Sequence, residues 1–160
     1  MDMNIKFMSL ALEQARLAYE KNEVPIGAVI VRNGEVISTG FNKRHTEKNA
    51  ILHAETEAIS NACKKLGGWH LWNCDLYVTV EPCPMCAGAI INSRIRNVYI
   101  GTRNSKFGAC GSVINLFDYP FNHKPNIVTG IMEDECKKIM SDFFLEVRLR
   151  KKQEKDRERT

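Results

Sequence analysis

The chain has 160 residues, 44% of them hydrophobic and 26% charged, with a net charge of +4. That length and balance fit one globular domain with its own core, and they exclude a disordered or collagen-like chain. No apolar run nears the roughly 18 residues that span a bilayer, and residues 1–12 lack a basic segment followed by an apolar core, so neither a membrane span nor a secretory leader is expected.

Residues 2–21 place Ile5, Met8, Leu12, Ala15 and Tyr19 at helical spacing, predicting an amphipathic first helix. Residues 25–31 read as a buried strand. Asn33-Gly34 is a two-residue hairpin turn, so residues 35–39 return antiparallel. A polar loop, 42–49, leads to His53, and residues 53–66 read as a helix. Residues 76–80 form a strand rich in β-branched side chains. Pro84 suits the first turn of a helix running to Ile91. Residues 98–100 make a further strand, a glycine-containing loop spans 101–112, and residues 127–128 form a short edge strand. The last helix is expected over 133–150, with Ile139, Met140, Phe143, Phe144 and Val147 inward. Residues 146–160 hold seven Lys/Arg against four Asp/Glu. Such an end is either a solvated helix terminus or a phosphate-contacting extension. Helices and strands alternating after an opening hairpin predict a three-layer α/β/α domain with a mixed central sheet.

Six cysteines would allow three disulfides in a secreted chain. Two of them, Cys83 and Cys86, are instead spaced as metal ligands. Cys63, Cys74, Cys110 and Cys136 lie scattered in apolar stretches and read as small core residues. Reduced cysteines predict a cytoplasmic location.

The chemistry sits in His53-Ala54-Glu55 and Pro82-Cys83-Pro84-Met85-Cys86. His53, Cys83 and Cys86 are three good zinc ligands. Structural zinc sites are usually closed by four protein ligands, whereas a catalytic one keeps three and an open position. Glu55, two residues after the histidine, suits a proton shuttle for water activated by the metal. Both ligand groups fall at predicted helix starts, where the positive end of the helix dipole favours thiolate. A lone His-x-Glu or Cys-x-x-Cys carries little information, since the latter also serves redox chemistry or structural zinc. Their joint occurrence is the known signature of zinc nucleobase deaminases.

At Pro25–Val29, Asn42, His53–Glu55, Thr79–Ser93 and the Gly108-Ala109-Cys110-Gly111-Ser112 loop, the chain closely resembles the bacterial tRNA-specific adenosine deaminases of the cytidine-deaminase-like superfamily. Lys106 and Ser141–Phe144 belong to the same resemblance, which runs from about residue 5 to 150. It implies a deaminase domain over 1–150 followed by a basic tail, 151–160. It also implies a Zn²⁺ cofactor, a homodimer, and a tRNA anticodon stem-loop whose wobble adenosine becomes inosine. By position, Asn42 would hydrogen-bond the extruded purine, Val29 would line its face, and the Ala54 N–H would touch the base edge. Lys106 and residue 104 would lie in the loop beside the pocket, and Phe144 near the anticodon.

A base-sized substrate also suits apolar walls at Val29 and Ile30 and a rim of Lys43, Arg44, Lys48, Arg94, Arg103 and Lys106 for flanking phosphates. The chain departs from the family at residues 49–52, Asn-Ala-Ile-Leu, where many members have Asp-Pro-Thr-Ala, and at Asn104, where relatives commonly carry Asp. Two alternatives stay open: a deaminase of free guanine or cytosine, and a non-catalytic nucleic-acid module with structural zinc.

Overall fold

The computed structural model describes residues 2–160. Asp2 caps the first helix, α1 (Met3–Glu20), its carboxylate accepting the Asn4 N–H at 2.9 Å. The buried stripe of α1 is Phe7, Met8, Ala11, Leu12, Ala15 and Ala18, while Ile5, expected inward, is exposed.

Strands β1 (Gly27–Arg32) and β2 (Glu35–Phe41) pair antiparallel through the expected turn. Asn33 and Gly34 both take positive φ, 52° and 77°, which matches the right-handed twist of the hairpin. Helix α2 (Ala54–Leu66), strand β3 (Cys74–Val80), helix α3 (Pro84–Ser93) and strand β4 (Asn97–Thr102) follow. A loop then leads to β5 (Asn126–Thr129) and to α4 (Glu133–Glu158). The sheet order is β2-β1-β3-β4-β5; β1 runs antiparallel to both of its neighbours, β2 and β3, and β3, β4 and β5 run parallel. The parallel β3–β4 pair requires a crossover, which α3 provides.

Pleat parity divides the core into two. Ala28, Ile30, Leu76, Val78, Val98 and Ile100 pack against α2 and α3 residues such as Ala54, Ala58, Ala87 and Ile90. Val29, Val31 and Tyr77 pack on the opposite face with Phe7, Met8, Ala11 and Leu12 of α1 and Cys136 of α4. The result is the expected three-layer α/β/α domain with a mixed sheet.

Helix α4 differs from expectation in length and facing. It runs unbroken past residue 150 to Glu158, so residues 151–160 are the solvated outer end of that helix, with every residue exposed. Lys, Glu, Gln and Arg lose little side-chain freedom in a helix, and this stretch is built almost wholly from them. Phe143 is buried, whereas Phe144 is 41% exposed.

Candidate metal centre and substrate rim

His53 and Cys83 occupy equivalent places. Each is the residue before a helix on the same side of the sheet, with extended backbone: φ −88°, ψ 165° for His53 and φ −72°, ψ 172° for Cys83. The His53 N–H donates to Thr56 Oγ1 at 3.0 Å, and Thr56 Oγ1 donates to the Ile51 carbonyl at 2.6 Å, which fixes the approach to α2. Pro84 pre-sets the first turn of α3, and Cys86 follows two residues on, buried.

His53 Nδ1 therefore lies 3.6 Å from Cys83 Sγ and 3.6 Å from Cys86 Sγ. Bonds of about 2.0 Å to nitrogen and 2.3 Å to sulfur at tetrahedral angles place such ligand atoms about 3.6 Å apart. The donor set and its spacing thus fit zinc. Among the described residues, these three form the one cluster of at least three His, Cys or carboxylate donors within 4.8 Å of one another. Glu55 stands outside that triangle.

The sulfurs behave as a pair. Hydrogen bonding from Cys86, with help from His53, outweighs burial and holds the Cys83 thiol down at about 4. The same pairing with Cys83, reinforced by burial, pushes Cys86 up. Hydrogen bonding to Cys83 is the main cause raising His53. Glu55 is 4% exposed, and burial raises its carboxyl above the ordinary range. A carboxyl so placed holds a proton more readily than a solvated one.

Two buried glutamates hold the loops on either side. Glu23 accepts the N–H groups of His45 at 3.0 Å and Thr46 at 2.8 Å, anchoring residues 42–49. Glu81 accepts from Asn104, Cys110 and Ser112 N–H at 3.3, 3.0 and 3.1 Å and from the Ser112 hydroxyl, anchoring residues 103–112. Burial alone would raise both carboxyls; the hydrogen bonds outweigh it and hold both below the ordinary value of 4.5. Ala109 N–H also donates to the Pro82 carbonyl at 2.9 Å, tying this loop to the residue before Cys83. Neither glutamate was legible as an anchor from its sequence neighbourhood. For Glu81 the available signal was a Glu inside an otherwise buried stretch beside a metal-ligand motif; Glu23, after three exposed residues, offered none.

The other expected residues divide. Asn42 follows β2 directly, 6% exposed; its Nδ2 donates to the Val24 carbonyl at 3.3 Å and its Oδ1 accepts the Arg44 N–H at 3.3 Å. One N–H and one lone pair of that amide remain for a ligand. Ala54 opens α2, where its N–H has no intrahelical acceptor. Strand β2 approaches this turn closely: a Cβ on Gly40 would lie 2.3 Å from the Ala54 carbonyl oxygen. Asn104 Oδ1 accepts the Lys106 and Phe107 N–H groups at 3.2 and 3.1 Å, so its side chain shapes its own loop, with Lys106 exposed.

Two expectations are corrected. Val29 does not line this site: its side chain is wholly buried on the α1 face, and the metal helices lie on the other. The half-buried apolar residues beside Asn42 are Val24 and Ile26, whose carbonyls accept from it. Arg94 is no part of the rim; it caps the C-terminus of α3, the end remote from Cys83. Phe144 packs edge-on against Phe143, with ring centres 5.4 Å apart, and Phe143 packs on Tyr19 of α1.

Known proteins agree with this geometry. Residues 1–102 match the family model of the cytidine and deoxycytidylate deaminase zinc-binding region. The tRNA-specific adenosine deaminase of Bacillus subtilis strain 168 is 48% identical over 147 residues, 91% of each chain. A solved tRNA:A34 deaminase, studied for A-to-I editing at the wobble position of transfer RNA, superimposes with a TM-score of 0.82 at 44% identity, covering 84% of this chain and 98% of its own. A guanine deaminase from Bacillus subtilis is more distant, with a TM-score of 0.60 at 36% identity over 75% of this chain and 76% of its own. The chain belongs to the tRNA-specific adenosine deaminases, a zinc-dependent branch of the cytidine and deoxycytidylate deaminase family.

Proposed function

We propose that the protein hydrolyses adenosine to inosine and ammonia at the wobble position of tRNA anticodons, with His53, Cys83 and Cys86 holding the zinc ion. The observation that carries the chemistry is one imidazole nitrogen 3.6 Å from each of two thiols, with the buried Glu55 beside them. Zinc supplies Lewis-acid activation of water at neutral pH. Glu55 takes one proton of the attacking water on its carboxylate and delivers it to the purine ring nitrogen as the water oxygen bonds to C6. It then passes the remaining hydroxyl proton to the exocyclic amine, which leaves as ammonia as the C6–N bond breaks. Asn42 and the Ala54 N–H orient the base.

The substrate class follows from family membership together with the cationic loops on either side, which carry Arg44, Lys48, Arg103 and Lys106. A free-base deaminase has no use for such a rim. The more distant guanine deaminase likeness speaks for the shared fold.

A homodimer is part of this reading. Phe107 in the Glu81-anchored loop, and Val113, Tyr119 and Phe121 just after it, are each more than half exposed, apolar area that suits a second copy. Cytoplasmic location is supported by six free cysteines and by a tRNA substrate.

The test is incubation of zinc-loaded protein with an anticodon stem-loop bearing wobble adenosine, scored for inosine, beside free guanine and cytosine. Conversion of a free base with the RNA untouched overturns the substrate assignment. Light scattering of the same sample reads the oligomeric state; a monomer at micromolar concentration removes the dimer.

A further inference from the structure

Trp69, His70 and Trp72 follow the C-terminus of α2, and they are stacked. The Trp69 and His70 ring centres are 3.4 Å apart at 29°, and those of His70 and Trp72 5.3 Å apart at 14°. The Arg94 guanidinium lies over Trp69, 5.9 Å from the ring centre. Leu71 alone of the segment turns inward, wholly buried, its N–H held by the Ser93 carbonyl at 2.8 Å. Its insertion pins the loop and leaves Trp69 57% and Trp72 54% exposed.

These are the only two tryptophans in the chain. Exposed indoles are costly to keep in water, and nothing in the core uses them. Lys64 and Lys65 stand exposed in the last turn of α2, and no acidic residue occurs between Glu57 and Asp75. Asp75 is taken up by Arg96, through two contacts of 3.2 Å, and by Asn97. The surface is therefore aromatic and cationic. Lysines at a helix C-terminus also complement its dipole, but that role does not account for the ring column. Stacked rings flanked by unpaired cations suit nucleobases and phosphates. An acidic peptide would satisfy the charges and leave the rings unused.

The surface is separate from the metal centre. Helix α2 has 13 residues, about 20 Å of length, with His53 at one end and this column beyond the other. We propose that the Trp69–His70–Trp72 column is a second RNA-contact surface. An unpaired base of the tRNA continues the stack on Trp72, and Lys64, Lys65 and Arg94 meet the adjoining phosphates. The proposal rests on tRNA being the substrate.

The column contains its own reporter, because all tryptophan emission arises from it. Zinc-loaded protein is titrated with full-length tRNA carrying A34 and with the same tRNA carrying G34, which binds without presenting the target base. Both are expected to quench the emission. Trp72→Ala is expected to raise Kd about 5- to 150-fold, the worth of one stacked base. Trp72→Phe, which keeps a stacking ring, should stay within a few-fold of wild type, and kcat at saturating RNA should not change in either variant. Unchanged emission while anisotropy of labelled tRNA reports binding overturns the proposal, as does a Trp72→Ala Kd within twofold of wild type. If both tRNAs bind and quench but A34 is not converted, the proposed activity fails and the column stands. Absence of any tRNA binding overturns both.

Discussion

Glu81 and Cys110 are joined by one buried hydrogen bond: the Cys110 N–H donates to Glu81 Oε2 at 3.0 Å. With the further bonds from Asn104 and Ser112, it makes one carboxylate the anchor of a ten-residue loop beside the metal ligands. Gly108 is the consequence, since a Cβ there would lie 2.2 Å from the same carboxylate oxygen. Glu81→Gln turns an amide NH₂ towards N–H donors and leaves at least one buried group unsatisfied, at a cost of about 1–3 kcal/mol. Zinc content should hold while KM for RNA rises. The native carboxyl lies below 4.5, so its stabilisation is fully present above that pH and is lost as pH falls through the native value. Acid titration followed by circular dichroism should therefore show a shallower loss below pH 4.5 in the Gln variant than in wild type. Parallel curves would deny Glu81 this role.

Cys83→Ala removes one corner of the metal triangle and should lower bound zinc well below one equivalent and abolish deamination together. Elemental analysis of the purified variant is the check, and full zinc retention would assign the metal to other ligands. Chelation of the wild type should have the same effect, restored by adding zinc.

Glu55→Ala should separate metal from turnover. The carboxyl lies outside the ligand triangle, so zinc and fold persist while the rate falls by about two to four orders of magnitude, the usual worth of a general acid–base group. Near-normal single-turnover rates in this variant would remove Glu55 from the proton path.

Asn104→Asp tests RNA against DNA. The Asn104 side-chain oxygen accepts two N–H groups of its own loop, and a carboxylate can accept the same two, so loop shape is kept and charge alone changes. Asn adds donors and lacks the negative charge that repels phosphate, and the 2′-hydroxyl is the handle that distinguishes RNA. The Asp variant should show a higher RNA-to-DNA ratio of kcat/KM on matched hairpins carrying the target adenosine. An unchanged ratio assigns discrimination to other residues.

Deleting residues 151–160 removes only exposed residues at the end of α4. Thermal stability and zinc content should be unaffected, and tRNA affinity should fall modestly, with a shallower dependence on salt. Identical salt slopes would mean that these cations make no phosphate contact.

Periodicity and turn chemistry made most of the fold legible. Asn33-Gly34 specifies a hairpin locally, and the zinc motif predicts two helix starts because ligand geometry and helix capping demand the same backbone at His53 and Cys83. Val29 was misplaced for a reason sequence alone does not resolve: a strand buried on both faces reads as one continuous apolar run, and pleat parity has meaning only once the layers on each side are known. Arg94 was misplaced for a different reason: closeness to the motif in sequence is not closeness in space, and a helix starting at Pro84 already carries Arg94 to the end away from Cys83.

By itself, the sequence determined what short-range chemistry can specify: the ligand types, the carboxylate beside them, the hairpin, the helix starts and the family. Tertiary structure alone decided how separate segments meet. It brought Glu23 and Glu81 under two loops as anchors, turned Val29 away from the site, carried helix α4 beyond residue 150, and stacked Trp69, His70 and Trp72 on the remote ends of α2 and α3. The difference is physical: caps, turns and ligand spacing act over a few residues, whereas a buried carboxylate receives its partners from residues some thirty positions away, and only the closed fold brings them within hydrogen-bonding distance.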